Sequence, residues 1–166
     1  MRYLFTIVLF SFCFYSLSAR VRKPGPDSLV CLLMEGKVIN ALEGSERTCF
    51  IQLICENKVI DSVTLNGRKK FHFDLKKNKH YIIRISKPGY VNKNICVHTF
   101  IPDTQTDLFK FEFETILSEE KPGQVIDEET RNLPVASIYF HEKKNTFFYH
   151  KAFSAYYQKQ LCKPYQ

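Results

Sequence analysis

Two stretches of this chain change character at every second residue. Phe71, Phe73 and Leu75 alternate with Lys70, His72 and Asp74, and Phe109, Phe111 and Phe113 alternate with Lys110, Glu112 and Glu114. A strand sends successive side chains to opposite faces, so this period fits a half-buried strand and does not fit a helix. Tyr81, Ile83 and Ile85 repeat the pattern, and the apolar run Cys49 to Cys55 reads as a buried central strand. Cys31 to Ile39, interrupted by Glu35-Gly36-Lys37, Val59 to Leu65 and Ile95 to Phe100 supply further strand-like segments.

Turn residues punctuate these segments. Asn57-Lys58 and Asn78-Lys79 mark turns, and Asn66-Gly67 is a hairpin signal because both residues tolerate positive φ. Lys87-Pro88-Gly89-Tyr90 suits a type II turn, with Pro fixing φ and Gly accepting the positive φ that follows. Residues 31–115 therefore carry about seven short strands with no sustained helical period. The reading is all-β, a sandwich or barrel.

The flanks read differently. Met1-Arg2-Tyr3 followed by the apolar run Leu4 to Leu17 and small residues at Ser16 to Ala19 predicts a signal peptide over 1–19. The run is short for a spanning helix, which needs about 20 residues, so an uncleaved anchor is the lesser alternative. Residues 20–30 form a charged, Pro/Gly-containing leader expected to be mobile. Residues 116–166 form a C-terminal linker and extension. Within it, Ser118 to Arg131 reads as a loop, Leu133 to Phe140 as extended, Glu142 to Asn145 as a turn and Thr146 to Tyr149 as a return strand. Ala152 to Leu161 is expected to form a short helix.

Export shapes the partners. The chain has a formal net charge of +7, which in a cytoplasmic protein would raise nucleic-acid binding. Outside the cytoplasm the candidates are an envelope protein, a surface glycan or anionic lipid touched peripherally, with no nucleic acid expected. A solvated basic surface is the plainer alternative. Beyond Cys13 the cysteines are Cys31, Cys49, Cys55, Cys96 and Cys162, an odd number in an oxidising compartment. Cys49 and Cys55 on one strand would stand roughly 20 Å apart, beyond disulfide reach. No C-x-x-C pair or Cys/His cluster points to a metal, and buried, chemically quiet thiols are expected.

Four segments together resemble the carboxypeptidase-regulatory-like (transthyretin-like, prealbumin) domains. They are Glu35-Gly36-Lys37-Val38, Cys49 to Leu53, Phe71 to Leu75, and Tyr81 to Val91 with its Lys-x-Gly-Tyr turn. The resemblance covers residues 32–115. With a strand like Ile95 to Thr99 and a tail like Pro134 to Tyr139, it is similar to envelope proteins of Gram-negative bacteria. It implies an antiparallel Greek-key sandwich, prealbumin-like, with a C-terminal extension, in the periplasm or at the outer membrane. Such domains are accessory modules, and function does not follow from the fold.

Enzymatic relatives fit poorly. The hydroxyisourate hydrolases of this fold end in Tyr-Arg-Gly-Ser, whereas this sequence ends Lys163-Pro164-Tyr165-Gln166. A zinc carboxypeptidase needs His-x-x-Glu, and none of His72, His80, His98, His141 or His150 has Glu three residues later. No G-x-S-x-G elbow or Cys–His adjacency supports nucleophilic catalysis. An isopeptide link through Lys37 lacks an evident Asn partner. His72 and His98 are expected to face outward, as surface histidines far sooner than as a metal pair.

No catalytic, cofactor-binding or metal residue is therefore expected. The candidate contact surface is Tyr139, Phe148, Tyr149, Tyr156 and Tyr157 with Lys143, Lys144 and Lys151, since exposed rings beside amines suit glycans, anionic groups or a protein. The competing reading docks these rings on the sandwich. The expectation is a non-catalytic envelope module working through protein or surface contacts. A carbohydrate-binding module is the alternative, and a transthyretin-type hydrolase the less favoured one.

Overall fold

The computed structural model describes residues 29–44, 47–120 and 131–150. The signal segment, residues 20–28 of the leader, and the tail carrying Lys151, Tyr156, Tyr157 and Cys162 lie outside the described residues, as does the helix expected over Ala152 to Leu161; the last leader residue, Val30, opens the first strand. Among the described residues nine strands follow one another: β1 (Val30–Val38), β2 (Thr48–Cys55), β3 (Lys58–Asn66), β4 (Lys70–Lys76), β5 (His80–Ser86), β6 (Lys93–His98), β7 (Phe109–Thr115), β8 (Pro134–His141) and β9 (Thr146–Tyr149). They form two sheets, a small one ordered β4-β1-β7 and a large one ordered β3-β2-β5-β6-β8-β9. The all-β expectation holds, and seven strands do lie in residues 30–115. Residues 134–149 add two more to the large sheet.

The antiparallel expectation needs correction, because β1 pairs with β7 and β6 with β8 in parallel. Alternation of side chains tells which face a residue takes and is blind to the direction of the neighbour. The Asn66-Gly67 signal is also corrected. Gly67 does take positive φ, at 74°, but β3 and β4 belong to different sheets, so this turn carries the chain across the sandwich. The tight hairpin is one turn earlier. Glu56 and Asn57 stand at φ 52° and 59° between β2 and β3, the pair of left-handed residues that matches strand twist. At Lys87 to Tyr90 the type II turn forms as read, with Gly89 at φ 78° and Tyr90 N–H donating to the Lys87 carbonyl at 3.1 Å.

The inner faces meet in a sandwich-like core. Leu32, Met34, Phe73 and Leu75 of the small sheet join Ile51, Ile83, Ile85 and Val97 of the large one in a single buried cluster. Gly36 sits inside β1 opposite Phe71 on β4 and Phe113 on β7, whose rings meet edge-on at 5.9 Å. The glycine that interrupts the apolar run in sequence is thus the slot those two rings fill. A further junction ties β4 to β5. Thr99, fully buried, accepts from Lys79 N–H at 3.0 Å and lies 2.7 Å from the Lys76 carbonyl, to which its hydroxyl donates.

Candidate functional site

The β8–β9 hairpin divides the expected contact residues between two faces. Phe140 and Phe147 are register partners and turn inward, their rings 5.2 and 5.6 Å from Phe109 of β7. Tyr139 and Phe148 are also register partners, and by the two-residue period they face outward. The connecting 3-10 turn, Glu142–Lys144, closes through Asn145 at φ 49°. It exposes Lys143 and sets the Lys144 amine 4.5 Å above the Phe148 ring. Tyr149, one residue on, falls on the other side of the sheet, so it does not join Tyr139 and Phe148.

Pairing extends the outward surface across four strands. His80 on β5 is opposite His98 on β6, His98 is opposite Tyr139 on β8, and Tyr139 is opposite Phe148 on β9. The His80 and His98 rings stack at 4.4 Å and 12°. His141 lies 5.5 Å from Phe148, and His150 lies 6.2 Å from Tyr139. Four of the five histidines thereby gather on one face. His72 is elsewhere, exposed on β4 of the small sheet, so the sequence pairing of His72 with His98 is replaced by His80 with His98. Strand register decides this, and register was not written in the local pattern. Among the described residues no group of three or more His, Cys, Asp or Glu is placed to hold a metal.

The face has a definite electrostatic response. Burial, and next the neighbouring His80, hold the His98 imidazole below its ordinary pKa, since both disfavour the cation. His98 therefore stays neutral to lower pH than a free imidazole. The amines of Lys143 and Lys144 border the row. What this arrangement supplies chemically is flat rings, ring N–H donors and positive charge, which are means of recognition.

On the opposite side of β6 and β8 lies a cleft of about 640 Å³. Residues Phe111 to Thr115 of β7 form one wall, and Ile95, Ala136 and Ile138 form the floor. Lys93 also lines it, with burial holding its amine pKa below the usual value. At the rim stand Tyr149, Glu112 and Glu114, the two carboxylates being ion-paired to Lys110 and Lys37. Lys37, the isopeptide candidate, thus sits in a surface ion pair with a 2.7 Å separation.

The remaining polar burial is architectural. Lys87, 3% exposed, donates to the carbonyls of Asn40 and Glu43 and stands 4.4 Å over the Tyr90 ring. Asn40 exchanges two hydrogen bonds with the backbone of Leu117, at 2.8 and 2.9 Å. These contacts lock the β1–β2 loop against the segment after β7. Cys31, Cys49, Cys55 and Cys96 are all buried and free, and Cys49 and Cys55 share β2 as the sequence implied. Burial pushes the thiols of Cys31 and Cys49 up to about 11 and that of Cys96 upward. At neutral pH they are thiols and poor nucleophiles.

No protein-family model matches this chain, and no curated protein matches it either.

Proposed function

We propose that this protein is a non-catalytic recognition module that acts outside the cytoplasm, with the outward face of β5, β6, β8 and β9 as its contact surface. The observation that carries the reading is the row His80, His98, Tyr139, Phe148, continuous over four adjacent strands. Side chains so aligned give a broad ring surface with an amine at one end, suited to an envelope protein presenting aromatic or acidic groups. The apolar run Leu4 to Leu17 with Ser16 to Ala19 after it supports export.

The fold is proposed to be prealbumin-like. In support, the four segments that suggested it fall on β1, on β2, on β4, and on β5 with the Gly89 turn. The test is capture of partners from solubilised envelopes by the mature chain, beside Tyr139→Ala/Phe148→Ala and, as control, His72→Ala. A specific partner held by wild type and control but lost by the double variant is the expected result. Equal capture by all three, or turnover of ester, peptide or glycoside substrates at an enzymatic rate, would remove the reading.

A glycan is the second reading, favoured by Tyr139 and Phe148 lying side by side with Lys144 over one ring. Glycan-array binding abolished by Tyr139→Ala separates it from the first, and an empty array rejects it.

A further inference from the structure

Three strands lie over six. In the small sheet β7 has a partner on one side only, β1, so alternate N–H and C=O groups along its other side have no strand partner among the described residues. Beyond that edge the large sheet continues through β8 and β9. At the Phe109 end Phe140 and Phe147 fill the space above their inner face; toward Thr115 that space opens as the cleft, lined by five consecutive β7 residues, Phe111 to Thr115.

We infer that this cleft receives an extended segment of a partner protein, which adds to the free edge of β7 as a fourth strand of the small sheet. The length agrees: five lining residues at a rise of about 3.3 Å give an edge roughly 16 Å long, enough for a short strand. Main-chain hydrogen bonds to β7 supply affinity, and alternate side chains entering over Ile95, Ala136 and Ile138 supply specificity. Phe111 and Phe113, half-buried in spite of facing inward, would be covered by the same event.

The charge in the cleft narrows the partner. Lys93 has no ion pair among the described residues, whereas Glu112 and Glu114 at the rim are taken by Lys110 and Lys37. A half-buried amine facing a cleft favours an anion beside it, so the incoming strand carries Asp or Glu at one of its inward positions. A second copy pairing β7 to β7 offers only Phe109, Phe111, Phe113 and Thr115 there, and no carboxylate.

Random dodecapeptides on phage, panned against the full chain, test this. The expected enrichment is alternating apolar sequences with one acidic residue among the apolar positions. Each enriched peptide is then synthesised with backbone N-methyl groups along one edge or along the other. Methylation of one edge is expected to weaken binding at least about ten-fold and of the other to leave it unchanged, since only one edge meets β7. Replacing the peptide's acid by its amide should weaken binding to wild type about ten-fold or more and have no further effect on Lys93→Met. Ala136→Glu, with its fold checked by circular dichroism, should abolish binding, and Lys93→Met stands in if that variant does not fold. No enrichment, or binding indifferent to both methylation patterns or to Lys93→Met, overturns the inference. So does displacement of the peptides by a synthetic 151–166 segment, which would make the occupant the chain's own. A concentration-dependent doubling of mass that Ala136→Glu removes would assign the cleft to a second copy.

Discussion

Replacing Gly36 by Ala tests the packing at its tightest point. A Cβ on Gly36 would stand 2.2 Å from Phe71 Cζ, 2.5 Å from Phe71 Cε1 and 2.8 Å from Phe113 Cζ. Carbon atoms rest at about 3.5 Å or more, so the Phe71 ring must retreat by roughly 1.3 Å. It has little room, being 3% exposed with the Phe73 ring beside it at 5.6 Å. Phe113, on the open edge strand, can swing aside, and the cost therefore falls on Phe71. Overpacking of this kind costs about 1–3 kcal/mol. Ala recovers roughly 0.5–1 kcal/mol of the chain entropy that Gly loses on folding. A net loss of about 1–2 kcal/mol follows, a fall in Tm of about 2–8 °C at this chain length. Urea unfolding followed by far-UV circular dichroism should show a lower midpoint at unchanged slope. Gly36→Ala combined with Phe71→Leu isolates the clash, since the smaller side chain makes room. The double-mutant coupling should be at least about 1 kcal/mol in the favourable direction. A Gly36→Ala protein within about 0.5 kcal/mol of wild type, or a coupling near zero, would refute the argument.

Four further outcomes are expected. Thr99→Val keeps the shape but strands Lys79 N–H and the Lys76 carbonyl, and should cost about 1–3 kcal/mol in urea unfolding, with Thr99→Ser closer to wild type. Asn57 holds left-handed φ with the help of its short amide, which Ala lacks, so Asn57→Ala should cost about 1 kcal/mol, while Asn57→Gly, free of a β-carbon, should not. His98 has a folded pKa below its unfolded one, so the unfolded state binds more protons between the two. Its contribution to stability is thus intact above about pH 6.5, the unfolded value, and declines as pH falls through the folded pKa. In His98→Asn, unfolding measured from pH 7.5 to 5 should lose that part of the slope. Iodoacetamide at pH 7.5, followed by mass spectrometry, should leave Cys31, Cys49, Cys55 and Cys96 unmodified in the native chain and label them after unfolding.

Which residues form strands could be read from their order, and most of the turns with them. Phe71, Phe73 and Leu75 announce their face because polar neighbours contrast with them, and Gly89 announces its turn because few residues tolerate its φ. What the chain order hides is which strand lies beside which. His80 and His98 become neighbours through a register between β5 and β6, and Tyr139 joins them only because β8 runs parallel to β6. Tyr149 parts from Tyr139 and Phe148 for a related reason. Aromatic content suggested one surface, while strand alternation, visible in Thr146 to Tyr149 itself, puts adjacent rings on opposite sides. The cleft was illegible because it arises from unequal sheet widths, a property of no single segment. Gly36 looked like an interruption of an apolar run because its purpose lies in rings 35 and 77 residues away.

Those separations also govern how the chain must assemble. β1 is the middle strand of its sheet, yet its first neighbour is synthesised after β2 and β3, and its second only after β6. Until then Leu32, Met34 and Val38 form a naked apolar ribbon. The β2–β3 hairpin, closed over two residues, can form at once. Distant pairings of this kind slow the search for the native state, and unpaired ribbons are where chains adhere to one another. Holding β1 apart from other chains until β7 arrives is therefore the kinetic hazard in making this protein.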